Sequence, residues 1–310
     1  MILAKKKSVG IIVLFFVILH RFIIAEAAEN REKSKTIEER VEQIKMGNFA
    51  LKASQQPGPL VSFGQNMVDK GDLQLFSFID DFVGCDQKTV SIIPTLLYGF
   101  RDNFSLYVQM PILAKYSMEN KKLSGLQDLL VQLEYAFYDQ MTERTTNQMS
   151  IVGNITLPTG SVPSSVASLR GHGSFGVPTF FIGFTADHFS TAWYTFVSTG
   201  IKVIPEHKKT KLGDWFFYQC GLSKNVYSQA DYYIINLTLE FDGIYKQQSR
   251  NCGLIDPNSG GNQILFGPSL WFSTPHFSLQ AGISGVVYQH LHGKQHKNNY
   301  LISIDIGYKF

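Results

Sequence analysis

Along the last twelve residues, Asn299 to Phe310, two sets of side chains alternate. Tyr300, Ile302, Ile304, Ile306, Tyr308 and Phe310 hold one set of positions. Asn299, Leu301, Ser303, Asp305, Gly307 and Lys309 hold the other, which is polar except for Leu301. A period of two is that of a β-strand whose faces meet different environments. Aromatic residues at both ends of the apolar stripe suit a strand that crosses a membrane with its rings at the two interfaces. Tyr300 and Tyr308 lie about 26 Å apart along a strand rising about 3.3 Å per residue. A tilt of about 40° brings that close to an apolar band about 25 Å high. A soluble antiparallel sheet also alternates, so this strand alone leaves both readings open.

The pattern recurs. Leu129, Val131, Leu133, Tyr135 and Phe137 oppose Asp128, Gln132 and Glu134. Tyr233, Ile235, Leu237, Leu239 and Phe241 oppose Asn236, Thr238, Glu240 and Asp242. Phe104, Leu106, Val108, Met110 and Ile112 oppose Ser105, Tyr107 and Gln109, and Phe277, Leu279, Ala281 and Ile283 oppose Ser278, Gln280, Gly282 and Ser284. The pattern predicts twelve strands: 72–83, 89–100, 103–115, 126–138, 146–157, 174–186, 190–204, 213–226, 231–245, 262–274, 276–288 and 298–310. In 72–83 and 190–204 both faces carry apolar side chains. All twelve exceed the usual five or six residues of a soluble strand and satisfy the roughly 9 to 11 of a tilted membrane strand. Connections tend to alternate between short turns and longer loops (116–125, 158–173, 205–212, 246–261 and 289–297), as in a membrane barrel with tight periplasmic turns. The predicted fold is therefore all-β: a transmembrane antiparallel up-and-down β-barrel of about 12 strands over 72–310, in the cell outer membrane. Both of its ends lie on the periplasmic side, and a short N-terminal helix precedes it.

The first 27 residues read as a signal peptide. Lys5, Lys6 and Lys7 precede the apolar run Val9 to Leu19, and small residues mark a cleavage site between Ala27 and Ala28. Arg21 lies inside a longer apolar stretch to Ile24, so an uncleaved anchor stays open. Residues 28–71 form a periplasmic segment. In it Ile37, Val41 and Ile44 share a helical face ended by Gly47, and "QQPGP" (Gln55 to Pro59) is a turn-rich linker. This segment is either a solvated helix or a hatch folded into the barrel mouth.

Composition narrows the class. Aromatics make up 13% of the chain and charged residues 17%, against roughly 25% charged in an ordinary soluble domain. The leader holds four basic residues and one acidic, so the rest carries 24 of each sign. A neutral chain does not suit nucleic acid as a partner. Cys85, Cys220 and Cys252 form no disulfide framework and no zinc motif; one Cys85–Cys252 bridge is open, and Cys220 falls mid-strand. His290, His292 and His296 sit in a Lys-containing loop and read as solvated, so no metal site and no cofactor are assigned.

"LLYGFRDNFSLYVQMPIL", "GLQDLLVQLEYAFYD", "IVGNITLPTGS" and the closing "IGYKF" resemble the outer-membrane family of putative transporters of the MetA pathway of phenol degradation. The resemblance spans roughly 72–310. Gln127 stands where the family's "GLGDL" has its second Gly. The resemblance implies passive passage of small, partly hydrophobic or aromatic solutes. The aromatic ending likewise resembles that of outer-membrane barrels at large. It implies that Tyr308 and Phe310 are read by the barrel-insertion machinery.

The function read from this pattern is a channel or transporter rather than an enzyme. Its partners are outer-membrane lipid and lipopolysaccharide, the insertion machinery and small-molecule solutes. The polar partners of the lipid stripes are the candidate lumen residues: Asp128, Gln132, Glu134, Asn236, Thr238, Glu240, Asp242, Asp305 and Lys309. Carboxylates dominate among them, which would favour cations. The alternatives are a plugged structural or adhesive barrel and a lipid-modifying enzyme. The second has only His172 and Ser174 as a catalytic pairing, with no third group in view.

Overall fold

A computed structural model describes residues 43–118, 121–161 and 174–310. The leader, its cleavage site at Ala27 and Ala28, and the helical stretch through Ile37 and Val41 lie outside these residues, as does His172. From Gln43 onward the expected helix does not continue. The chain is extended, with single 3-10 turns at Gly47–Ala50 and Ala53–Gln55.

The strands are β1 (Leu73–Gly84), β2 (Gln87–Arg101), β3 (Phe104–Gln109), β4 (Ile112–Met118), β5 (Lys121–Leu126), β6 (Leu129–Met141), β7 (Thr145–Leu157), β8 (Thr179–Ser190), β9 (Trp193–Val203), β10 (Thr210–Lys211), β11 (Trp215–Gln229), β12 (Tyr233–Lys246), β13 (Arg250–Asn251), β14 (Leu254–Ile255), β15 (Gly261–Ser273), β16 (Phe277–Leu291) and β17 (Asn298–Lys309). Antiparallel pairing runs round the sheet, and β1 pairs with both β2 and β17, which closes it. Two pairs of these segments are single wall strands with an interruption. The registers Thr95↔Gln109 and Ile92↔Ile112 are collinear, so β3 and β4 are one strand broken at Met110 and Pro111, where proline has no N–H to donate. β5 and β6 are likewise one strand with one extra residue at the Gln127–Asp128 break. The wall is thus a closed, 12-stranded antiparallel barrel, and β10, β13 and β14 form a separate small sheet in the loops.

Two boundaries depart from expectation. The connection expected at 116–125 is mostly strand, because β4 and β5 pair as a hairpin. The strand expected at 174–186 begins at Thr179 and continues to Ser190. No helix among the described residues is long and apolar enough to cross a membrane; the strands do so. Large apolar side chains cover the outside, among them Ile182, Val197, Leu237, Leu239, Leu270, Ile302 and Ile306. Outward aromatic residues collect at two levels. Phe100, Trp193, Tyr227, Phe277 and Tyr308 lie toward the end where β1 starts and β17 finishes, and Phe180, Phe216, Tyr245 and Tyr288 toward the other. An apolar belt with aromatic rims on a closed sheet is the outer surface of an outer-membrane barrel. Cys85 and Cys252 are separate free thiols, so the bridge left open between them does not exist; Cys220 is free and outward-facing.

Depth along β17 sets the cost of a charge. Ile304→Lys, near the middle of the apolar band, should destabilise the barrel by about 2–4 kcal/mol, and Tyr300→Lys at its rim by about 0–1 kcal/mol. Denaturant midpoints of the refolded variants check this; equal losses would contradict a membrane-embedded face.

Candidate functional site

The interior is built in three tiers. In the lowest, residues 43–72 enter from the end where β1 starts, rise inside the barrel and return to begin β1. Entry is fixed at the hairpin turns: Ile44 N–H donates to Glu143 O at 3.1 Å and Asn48 N–H to Thr191 O at 2.8 Å. Phe49 packs on Phe189, Tyr194 and Phe196. The segment then takes partners from successive wall strands. Ser273 Oγ donates to Gln55 O at 2.7 Å and Gln280 Nε2 to Gly58 O at 3.1 Å. At its highest point the backbone amides of Leu60, Val61 and Ser62 all donate to the Glu240 carboxylate, at 2.6, 3.1 and 3.3 Å. Ser62 Oγ donates to Asp242 at 2.6 Å and Phe63 N–H to Gln219 at 3.1 Å. On the way down Asn66 N–H donates to Glu134 at 3.1 Å, and Ser105 Oγ to Asn66 O at 2.6 Å. A segment without secondary structure inside a sheet must find acceptors for its amides, and inward carboxylates supply them.

The middle tier is a cavity of about 130 Å³ above this segment. Its walls include Phe63, Phe78, Phe181, Phe217, Leu130 and Leu265. The top tier is an apolar layer of Phe82, Phe175, Ile204, Trp215, Ile244, Leu265 and Leu301, with Val61, Val177 and Phe217 against it. Leu301, the exception in the polar set of the last strand, belongs here.

Two of the sequence motifs meet beside the cavity. Asp128 of "GLQDL" accepts the N–H of Gly160, from "LPTG", and the N–H of Phe175, each at 2.9 Å. Leu129 N–H donates to Thr159 Oγ1 at 3.0 Å and Ser161 N–H to Leu126 O at 2.9 Å. A Cβ on Gly160 would lie 2.6 Å from the Gln127 carbonyl carbon, so this approach requires glycine. Asp128 thereby folds the segment carrying Phe175 over the lumen.

The nine residues singled out from sequence all lie buried on the inner face, and most hold other protein groups. Asp128 ties the loop just described. Glu134, Glu240 and Asp242 hold residues 60–66. Asn236 Nδ2 donates to Asn48 Oδ1 at 2.7 Å, and Thr238 Oγ1 to Ser223 Oγ at 2.8 Å. Lys309 donates to Ser54 Oγ at 2.6 Å and pairs with Asp72. Gln132 lines the main cavity, and Asp305 a second one of about 70 Å³ below it. The expected excess of free carboxylates along a pore is therefore a set of carboxylates engaged by the internal segment and its loops. Among the described residues no three metal-ligating side chains converge.

Sequence reading missed Lys202 and Lys246. They flank Trp215 in the in-register row Lys202↔Trp215↔Lys246 across β9, β11 and β12. Lys246 Nζ lies 4.0 Å from the Trp215 ring centroid, and Lys202 Nζ 5.6 Å from it and 5.7 Å from that of Phe175. Alternation in 190–204 is blurred because the inner face also carries Tyr194, Phe196 and Ile204, which pack on the internal segment and the apolar layer. Val197, Ile201 and Val203, all outward, nevertheless fix Lys202 as inward once a barrel is assumed.

No family model and no curated protein matches the chain. Among solved structures it is similar to an outer-membrane channel from Pseudomonas putida F1, with 11% identity, a TM-score of 0.64, and coverage of 82% of this chain and 99% of that one. This likeness shows the barrel fold. Weaker likenesses, to the NanC porin (10% identity, TM-score 0.44, 77% of this chain and 98% of that one) and to LpxR from Salmonella typhimurium (9%, 0.40, 76% and 99%), do not discriminate among functions.

Removing the main acceptor should loosen the internal segment while leaving the wall intact. Glu240→Ala strands two buried amides and one part-buried one, each buried one costing about 1–3 kcal/mol. Amide exchange at Leu60, Val61 and Ser62 should then accelerate by about tenfold or more, with strand amides unchanged. Unaltered exchange there would show that the carboxylate does not hold the segment.

Proposed function

We propose that the chain is an outer-membrane channel for passive uptake of small, partly hydrophobic solutes, closed in this state by its own residues 43–72. The observation that carries the reading is the mode of closure. The segment crosses the lumen on hydrogen bonds to side chains, each of which water can replace when the segment withdraws. A barrel of twelve strands stands between those filled by their own side chains, about 8 strands, and those leaving an open aqueous channel, about 16 to 18. Without the segment its lumen would be open in the lower half. Membership of the phenol-degradation transporter family, and aromatic solutes with it, are part of this proposal. So are the division into leader, periplasmic segment and barrel, and a lumen role for the nine inward residues.

A permanently plugged structural barrel is the second reading, favoured by the number of buried bonds the segment makes. Single-channel recording in a planar bilayer separates the two. Intact protein should show rare, small openings. The Glu134→Ala/Glu240→Ala double variant, which removes acceptors on both limbs of the segment, should raise open probability about tenfold or more, in line with a loss of at least about 1.4 kcal/mol. Silence in both, from correctly folded protein, would reject the channel.

The exposed rings of Tyr308 and Phe310, 5.0 Å apart at the periplasmic rim, fit the proposed insertion signal. Deleting Phe310 should slow assembly in cells, seen as accumulation of unfolded chain on unboiled gels, while refolding of the purified protein is unaffected. Normal assembly would remove Phe310 from that role.

A further inference from the structure

The cavity above the internal segment is chemically polarised. Among its lining residues one is basic, Lys202, and one is acidic, Asp242. Four residues along the strands separate their levels, since Lys202 pairs with Trp215 and Asp242 with Gln219, a rise of about 13 Å. Asp242 is engaged: Ser62 Oγ donates to it at 2.6 Å and Gln219 Nε2 at 3.2 Å. Lys202 is only 4% exposed, and among the described residues neither it nor Lys246 has a hydrogen bond or an ion pair. Their ammonium groups face the rings of Trp215 and Phe175; the carboxylate whose charge reaches Lys202 is Asp128, which is engaged by the N–H groups of Gly160 and Phe175. A buried charge without a direct ion pair is costly, and two of like sign around one indole add repulsion. An anion entering beside Lys202 relieves both.

The remaining walls define the rest of the ligand. Phe63, Phe181 and Phe217 form an edge-to-face cluster, with centroids 4.8 Å (Phe63–Phe181), 5.7 Å (Phe181–Phe217) and 6.2 Å (Phe63–Phe217) apart. The cavity volume of about 130 Å³ is close to that of an apolar protein cavity known to take up benzene, about 150 Å³. We infer that this cavity is a binding site for a monocyclic aromatic carboxylate, with its ring against Phe63, Phe181 and Phe217 and its carboxylate toward Lys202, backed by Lys246. Asp242 at the opposite end orients the ligand by repelling the carboxylate. The inference deepens the channel reading by naming a substrate class, and it rests on that reading for its physiological meaning only.

Equilibrium binding tests it independently of transport. Benzoate, benzyl alcohol and benzylamine are titrated into the full-length refolded protein by calorimetry. Benzoate should bind about tenfold or more tighter than benzyl alcohol, as one charge-assisted contact requires, and benzylamine should bind weakest. Lys202→Met should abolish the preference of benzoate over benzyl alcohol while leaving benzyl alcohol unchanged, and Lys202→Arg should retain it. Should the Met variant fail to fold, Lys246→Met and the three-ligand comparison on unaltered protein decide. Equal affinities for benzoate and benzyl alcohol, or an unchanged preference in Lys202→Met, would overturn the site. Tight benzoate binding by a barrel that never conducts would uphold the site and reject the channel; conduction with no benzoate preference would do the reverse.

Discussion

The pairing of β1 with both β2 and β17 is the constraint on which the rest of this structure depends. Within hydrocarbon no N–H or C=O can be left unpaired, so a sheet that spans a membrane must have no edge. Once the ring shuts, every side chain is assigned to lipid or lumen by its parity along the strand. Proline is the local test of that rule. Where Pro111 withholds a donor, β3 gives way to β4, yet Met110 N–H still reaches Pro94 O and Gln127 N–H reaches Pro111 O. The wall bends its ladder there without opening it.

Closing twelve strands creates a second demand, inside. The space is too wide for wall side chains alone to fill, and a bare polar lumen would hold water. Here the chain fills the lower half with its own backbone, whose donors require acceptors in a place where few waters fit. Glu240 meets three amides in succession, and Glu134, Asp242 and Gln219 meet others. These carboxylates act as local anchors rather than as a field along a pore. Above them the character of the lumen reverses, with Phe82, Ile204, Ile244, Leu265 and Leu301 packed in one apolar layer. Two layers of opposite chemistry, one hydrogen-bonded and one apolar, lie on either side of the cavity.

That layering gives the lysine row its significance. On an exposed surface, Lys202 and Lys246 would be solvated and uninformative. Placed on either side of Trp215, with Lys202 lining the cavity and Lys246 behind it, they give the cavity a cationic end. Phe175 is held there by Asp128, so a carboxylate outside the cavity positions one of the rings that Lys202 faces.

The amino-acid sequence by itself determined the barrel: the strand number, most strand limits, and the facing of residues such as Leu237 against Thr238 or Ile304 against Ser303. Period-two alternation is a local property, and a membrane makes it strict because a misplaced charge is expensive at every outward position. Only the tertiary structure decided what occupies the lumen. The path of residues 43–72 has no periodicity, since its bonds run to strands as far away as Glu240 and Gln280. For the same reason the inward carboxylates could be placed from sequence but not given their partners. Lys202 escaped notice because its strand packs apolar side chains on both faces, toward lipid outside and toward Phe49 and the apolar layer inside. Parity along a strand records which side a residue faces; what waits on that side is set by contacts between residues far apart in the chain.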